Sequence, residues 1–211
     1  MSTIAHHVPD ATLACYAAGN LPHAFAVVVA SHVSLCIQCR AALEAHQHVG
    51  GALLEAADAV AVSADLKSAV LSRLDEPFMP EPVYERSGIY PGPVMEALKG
   101  RAPNWKSIGM GVRQDILWSG KEGSVRLLFI PPSQAVPDHS HNGLEMTLVL
   151  QGSFRDQTGG FGVGDIEIAS QDMEHAPVAG KGEPCICLAA TDAPLRFRAL
   201  FPRLLQPLFR I

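Results

Sequence analysis

The spacing of apolar residues changes once along the chain, from a helical period to an alternating one. In the first third, apolar side chains recur every three to four positions, as on one face of a helix. Pro9 before the first such segment and Gly19 after it are typical of helix ends. The pattern predicts four helices, over residues 11–18, 22–32, 36–57 and 64–74.

From Trp105 onward short apolar runs alternate with polar positions and are separated by Gly, Pro and Asp. This pattern is typical of strands. The predicted strands cover residues 108–117, 124–130, 144–151, 153–156, 161–169 and 185–191, and the last segment, 195–211, reads as a final strand and tail. Many short strands in succession favour a β-sandwich or a small β-barrel.

A proline-rich stretch separates the two patterns. Residues 76–93 hold Pro77, Pro80, Pro82, Pro91 and Pro93, which cannot continue a helix. The sequence therefore predicts an α + β multidomain protein. Its parts are a small helical domain over 1–75, an extended linker over 76–93 and an antiparallel β domain over 94–211.

Charge and composition narrow the functional classes. The chain has 211 residues and a net charge of −5, with a pI near 6.0, which disfavours direct binding to nucleic acid. Its first ten residues lack the cationic start and apolar core of a leader, and the longest apolar run, 24–30, is too short to span a bilayer. Five cysteines, two of them at ligand-like spacing, do not resemble a secreted disulfide framework. We expect a cytoplasmic protein without a membrane segment.

The first candidate for chemistry is a group of three residues, His32, Cys36 and Cys39. Their offsets of four and seven positions fall on one face of a helix. Imidazole and thiolate ligands suit Zn²⁺, which prefers four of them in a tetrahedron, so a fourth ligand is expected from His6 or His7. A bound zinc would also stabilise a helical domain with a thin core. The alternative is ordinary packing, with buried cysteines and a hydrogen-bonded histidine.

A second candidate lies in the β half. His139 and His141 alternate on a predicted strand and so share a face, and Glu145 follows after a short loop. His175 could complete the set from another strand. Such a mixed nitrogen and oxygen ligand set suits Zn, Fe, Mn or Ni. The alternative is a surface loop that holds no metal.

Two resemblances follow from these residues. His139, His141, Glu145 and Gly152 are similar to the first motif of the cupins, and His175 lies where the second motif has its histidine. Other positions of the second motif depart from the cupin pattern, so this resemblance implies a metal-binding cupin-like barrel and does not by itself imply catalysis. His32, Cys36 and Cys39 match the signature of zinc anti-sigma factors.

The combination of the two modules resembles, over essentially the whole chain, the ChrR family of anti-sigma factors of the singlet-oxygen response. The resemblance implies a four-helix N-terminal domain that holds zinc and sequesters an extracytoplasmic-function sigma factor, repressing transcription in the unstressed state. It also implies a C-terminal cupin-like domain that holds zinc or another divalent metal and is needed for release under stress. The implied ligands are His7, His32, Cys36 and Cys39 in the first domain and His139, His141, Glu145 and His175 in the second.

The sequence leaves the roles of several residues open. Val27, Val28 and Val29 and the stripe Leu66, Val70, Leu71 and Leu74 are either sigma-factor contacts or core. Cys185 and Cys187 are either redox-active or simply share one face of a strand, where an unstrained disulfide is difficult to form. Two other functions compete with the regulator. They are a cupin metalloenzyme, a dioxygenase or isomerase, and a sensor that binds a small ligand in the β domain.

Overall fold

The structure, a computed structural model, describes residues 3–77, 80–136, 139–141, 143–170, 174–193 and 195–197. For residues 75, 139–141, 174–175 and 195–197 it describes the backbone alone. Within these ranges the helices are α1 Asp10–Ala17, α2 His23–Leu35, α3 Ile37–Glu55, α4 Leu66–Ser72 and α5 Gly92–Ala97, with a 3₁₀ turn at Arg73–Asp75.

Prolines define where three of these helices begin. Pro9, Pro22 and Pro91 occupy the N-cap positions of α1, α2 and α5, where a missing N–H leaves no hydrogen bond unmade. The start of α3 differs, because Cys36 has the extended conformation φ −106°, ψ 110° there. It separates α2 from α3, and the axes of the two helices differ by 116°.

The strands follow the helices, which confirms the predicted α + β class. They are β1 Lys106–Gly109, β2 Val112–Gly120, β3 Gly123–Ile130, β4 His139–His141, β5 Glu145–Gln151, β6 Ser153–Arg155, β7 Gly160–Gly162, β8 Ile166–Ala169, β9 Glu174–His175, β10 Val178–Ala179, β11 Cys185–Thr191 and β12 Leu195–Phe197. They form a six-stranded sheet in the order β1-β2-β3-β11-β5-β8 and two three-stranded sheets, β10-β6-β7 and β12-β4-β9. Every pairing is antiparallel.

Two of the strand predictions were wrong in extent. The strand predicted over 108–117 is two strands, because Met110 (φ 52°) and Gly111 (φ 79°) form a turn between β1 and β2. The strand predicted over 161–169 is likewise divided into β7 and β8 by a turn at Gly164, whose φ is 91°. In both places a glycine in the left-handed region of φ forms a turn inside the predicted strand.

The two faces of the six-stranded sheet have different partners. One face carries Leu127, Leu148 and Leu188, all fully buried, and packs against Val28 and Val29 of α2 in one hydrophobic core. The opposite face, here called the inner face, carries Val149, Cys185 and Cys187 and packs against Phe154 and Phe161 of the β10-β6-β7 sheet. Alternation along each strand produces this division.

The helices and the sheet therefore share a core. Helix α2 contacts β3, β5 and β11, and it also contacts α5, whose Val94 is fully buried. Val28 and Val29 are core residues, so they are not available as sigma-factor contacts in this structure. The division at residues 1–75, 76–93 and 94–211 stays a prediction, since α5 begins at Gly92 and lies against α2.

Among the residues that the structure describes, no single helix is long and apolar enough to span a membrane. Helices α2 and α3 reach that length and hydropathy only as a pair, and the pair is sharply bent.

Candidate metal centre

Four potential ligands converge where α2 meets α3. His32 lies in the last turn of α2, Cys36 is the N-cap of α3, and Cys39 lies in the first turn of α3. His7 comes from the N-terminal segment that precedes α1. One nitrogen or sulfur atom of each residue lies within 4.8 Å of the others, and His32, Cys36 and Cys39 are buried.

The distances suit a tetrahedral ion. His32 Nε2 lies 3.2 Å from Cys39 Sγ, and His7 Nδ1 lies 3.3 Å from Cys36 Sγ and 3.7 Å from Cys39 Sγ. An ion with bonds of about 2.0–2.3 Å to nitrogen and sulfur places its ligands roughly 3.3–3.8 Å apart. The four residues could therefore hold a metal ion with little rearrangement.

Burial shifts the pKa of two of these ligands, His32 and Cys39. It lowers the pKa of His32 to about 4, and the backbone of Gly164 opposes this only in part, so the imidazole is neutral and its lone pair is available. Burial, together with the neighbouring Cys36, raises the pKa of the Cys39 thiol to about 11. Two buried thiolates are costly without a nearby cation, and a divalent metal supplies one. The Cys39 N–H also donates to Cys36 Sγ over 3.5 Å.

The expected single helix face was wrong. The ligands stand on either side of a helix break, and the extended backbone at Cys36 turns the two sides toward each other. The structure also distinguishes the two adjacent histidines. His7 faces the cluster, whereas the ring of His6 contacts Phe161, with ring centroids 4.4 Å apart.

The N-terminal segment is attached to the sheet by a residue that the sequence did not single out, Asp165. Its Oδ1 accepts hydrogen bonds from the N–H groups of Ala5 (2.7 Å) and His6 (2.8 Å), and its Oδ2 accepts from Gly162 (2.8 Å). Burial by itself raises the pKa of Asp165, but the three N–H groups outweigh burial and the pKa is lowered overall. Asp165 is therefore charged at neutral pH.

The second predicted ligand set is described only in part. In the β12-β4-β9 sheet, His139 is directly opposite His175, and His141 is opposite Leu195. The side chains of the three histidines lie outside the described residues. Glu145, at the start of β5, is buried, and its Oε1 accepts a hydrogen bond from Thr147 Oγ1 over 2.9 Å.

The inner face also contains a buried cation that sequence inspection missed. Arg126 is only 7% exposed, and its guanidinium donates to Gln114 Oε1 (3.1 Å) and Ser124 Oγ (2.7 Å). The sequence signal for a buried cation was an arginine within a predicted strand whose other residues are mostly apolar. Burial lowers the pKa of Arg126, and the charge of Glu145 opposes this shift.

Cys185 and Cys187 share the inner face, as their spacing predicts. Their sulfur atoms lie 3.4 Å apart and both residues are buried. The contact with Cys185, followed by burial, raises the pKa of Cys187 well above the ordinary range for a thiol. The pair is shielded from solvent, and Cys187 is protonated at neutral pH.

An apolar surface lies away from the metal cluster, on the end of α3 and on α4. Helix α4 has no buried residue. Leu66, Val70, Leu71 and Leu74 are between 43% and 74% exposed, and Leu53 and Leu54 near the end of α3 are 69% and 78% exposed. We call this set the α3–α4 apolar surface. Apolar area of this extent is typical of an interaction site.

Comparison with known proteins agrees with these observations. Residues 95–194 match the family model described as the ChrR cupin-like domain. The anti-sigma-E factor ChrR of Cereibacter sphaeroides is 53% identical over 99% of this chain and 100% of its own. The crystal structure of Rhodobacter sphaeroides SigE in complex with the anti-sigma ChrR matches with a TM-score of 0.81 and 52% identity, over 90% of this chain and 100% of that one. The predicted family and the cupin-like β domain are thereby confirmed, and the chain belongs to the ChrR family of anti-sigma factors.

Proposed function

We propose that this protein is an anti-sigma factor that sequesters an extracytoplasmic-function sigma factor and so represses transcription in the unstressed cell. The observation that carries the proposal is the match over 90% of the chain to ChrR, whose structure was solved as a complex with SigE. The protein is then a regulator and not an enzyme. A sigma factor held in this way is kept from RNA polymerase, which fits a cytoplasmic location.

The α3–α4 apolar surface supports a protein partner. Leu66, Val70 and Leu71 lie on one short helix, α4, that has no buried residue, so their apolar side chains are accessible to a partner. An amphipathic helix of this kind is stabilised when its apolar side enters a groove on another protein. Sigma-factor binding would supply that groove.

Zinc is the metal that best suits the cluster of His7, His32, Cys36 and Cys39. Two thiolates and two neutral imidazoles in a closed tetrahedron are the usual ligands of structural zinc. When bound, the ion supplies a positive charge that stabilises the thiolates and links three chain segments. The residues themselves set the geometry, because Cys36 produces the bend that brings α3 beside His32.

The β domain serves the stress response in this proposal. His139, His141, Glu145 and His175 would hold zinc or another divalent metal, and the pairing of His139 with His175 on adjacent strands supports that ligand set. Release of the sigma factor in response to singlet oxygen or related oxidative stress would begin in this domain.

A ligand-sensing role for the β domain is the second candidate. The buried Arg126, held by Gln114 and Ser124 on the inner face, supports it, because a cation inside a sheet domain suits a small anionic ligand. A rise in the unfolding temperature of the protein when a candidate anion is added would reveal such a ligand.

The main proposal is tested by co-expressing the full chain with an extracytoplasmic-function sigma factor of the same organism. A stable complex that carries zinc and blocks transcription by the sigma-dependent RNA polymerase is the expected result. If the purified chain binds none of the organism's sigma factors of that class, the proposal fails.

A further inference from the structure

We infer that Asp165, in the turn between β7 and β8, is a positioning residue for the metal ligand His7, through which the sheet domain controls the metal centre. The inference rests on the proposed metal centre and extends it, because it names the part of the β domain that acts on the metal.

The four ligands are not held in the same way. His32, Cys36 and Cys39 belong to α2 and α3 or to the cap between them, so helix hydrogen bonds and the shared core fix their positions. His7 lies in a segment that has neither helix nor strand. Its placement must come from contacts that the segment makes elsewhere.

Those contacts are made with the turn between β7 and β8. Asp165 accepts from the N–H groups of Ala5 and His6, the two residues that precede His7. The Ile166 N–H donates to the His6 carbonyl oxygen over 3.3 Å. The side chain of Ile4 lies against Gly164, so closely that a Cβ at position 164 would come within 2.6 Å of Ile4 Cδ1.

Three consecutive residues before His7 are therefore held by a turn about 160 positions later in the chain. The peptide groups on both sides of His6 are fixed, one through the His6 N–H and the other through the His6 carbonyl. The Cα of His7 therefore has little freedom, and its imidazole is directed at Cys36 and Cys39. If this turn moves, His7 moves with the N-terminal segment, whereas Cys36 and Cys39 are still held by α3, and His32 by α2 apart from its contact with the Gly164 backbone. A four-ligand site then becomes a three-ligand site with an open position, which binds zinc less tightly.

The turn between β7 and β8 is itself attached to the inner face of the sheet. Phe161 on β7 stacks on Phe154, with ring centroids 4.8 Å apart, and belongs to the same buried cluster as Cys185 and Cys187. The Phe161 ring also contacts the ring of His6. A rearrangement of that cluster thus reaches the segment that carries His7 through packed side chains.

The test compares zinc release from full-length variants with one matched control. Asp165→Ala removes the acceptors for Ala5 and His6. Asp156→Ala is the control, since Asp156 also caps a turn of the β domain, and the hydrogen bonds that it accepts from Thr158 N–H (2.8 Å) and Gly159 N–H (3.2 Å) lie within that turn. The readouts are the rate of zinc transfer to a chromogenic chelator and amide hydrogen exchange of residues 4–7.

We expect Asp165→Ala to release zinc at least about tenfold faster than the wild type and to lose exchange protection at residues 4–7, with Asp156→Ala within about twofold of the wild type. Asp165→Asn keeps one oxygen acceptor and should be intermediate. Ile4→Ala, which leaves the β domain unaltered, should also accelerate release, so the test does not depend on how well the Asp165 variant folds.

Two outcomes are distinguished. Equal zinc release from the Asp165, Ile4 and Asp156 variants would overturn this inference and leave the metal centre intact. A wild-type chain that binds no zinc at His7, His32, Cys36 and Cys39 would overturn the proposed metal centre itself, and the inference with it.

Discussion

Cys39 Sγ lies 3.2 Å from Nε2 of His32, seven positions earlier in the chain and on the other side of a helix break. In a continuous helix, residues seven apart are separated by about two turns, or roughly 10 Å along the axis. The short contact therefore depends on the bend of 116° between α2 and α3. The pair links the two helices directly, and a bound ion would make that link covalent in character.

Replacing Cys39 by Ser should abolish zinc binding, because the weaker oxygen ligand leaves three donors of the original set. The bend would then lose its support, and we expect sigma-factor affinity to fall by more than about tenfold. Zinc content by atomic emission and co-purification of the sigma factor measure the two effects. Cys15→Ser is the matched control, since Cys15 is exposed and is not one of the four clustered residues. A Cys39→Ser protein that keeps both properties would contradict the metal centre.

The adjacent histidines should behave differently when replaced by alanine. His7→Ala removes a ligand and should weaken zinc binding by about tenfold to a hundredfold or more, whereas His6→Ala should keep one ion per chain. The reason is that Nδ1 of His7 faces the sulfur atoms, while the His6 ring lies against Phe161 and Asp165. Alanine at position 6 removes those ring contacts but retains the backbone N–H that donates to Asp165. Competition with a chelator of known affinity gives the two constants. The reverse order would exclude His7 as the ligand.

A charge on α4 should separate partner binding from metal binding. Leu71→Glu places a carboxylate on the α3–α4 apolar surface, and its burial against a partner without a counter-charge costs at least about 1.4 kcal/mol, or tenfold in affinity. Leu71 is 51% exposed in the free chain, so folding and zinc content should be unchanged. Ser68→Glu, on the same helix, adds the same charge at a polar position and controls for net charge. Equal affinities of the two variants for the sigma factor, by calorimetry, would remove α4 from the interface.

Thiol reactivity should report burial and metal binding together. Of the five cysteines, Cys15 is exposed and the other four are buried. We expect one fast-reacting thiol per metal-bound chain with a disulfide reagent at neutral pH, and none in Cys15→Ser. Cys187 should react slowly because its raised pKa keeps it protonated and burial shields it. Rapid reaction of two or more thiols in the native protein would contradict this arrangement.

The shared core predicts that the helices and the sheet unfold together. Val28 is fully buried between α2 and the sheet, and truncation to Ala should lower the free energy of unfolding by roughly 1–3 kcal/mol. Val49→Ala, at a position on α3 that is 59% exposed, should change it by less than about 0.5 kcal/mol. Urea unfolding followed by helical and by tryptophan signals should show coincident transitions in both variants. Separate transitions would show that the two halves are independent.

Local patterns carried most of what could be predicted about the metal centre. The spacing of His32, Cys36 and Cys39 is local, so their proximity could be anticipated. The helix boundary near Cys36 was predicted as well, between 22–32 and 36–57, but the angle between the two helices was not, since it depends on the backbone conformation that Cys36 adopts. Nor could geometry distinguish His7 from His6, because the contact that orients them is made by Asp165, 159 positions away from His6.

The same distinction applies to the fold. Strand alternation predicted most of the sheet, but the turns at Gly111 and Gly164 were missed, although a second glycine two positions earlier marks each of them in the sequence. The sequence of helix α2 does indicate its burial. It is apolar on more than one side, which is typical of a helix buried between two layers, and it packs on the sheet through Val28 and Val29.

The N-terminal segment has a second effect that follows from its position. Strand β8 lies at the end of the six-stranded sheet, and the N–H of Ile166 at its start is occupied by the carbonyl of His6. An exposed edge strand of this kind can pair with strands of other chains and so promotes aggregation. Loss of the ion would free His7, and with it the N-terminal segment, so that the edge strand β8 becomes exposed. The metal-free chain would then be prone to self-association and to proteolysis. Loss of the metal would then favour removal of the regulator from the cell as well as release of its partner.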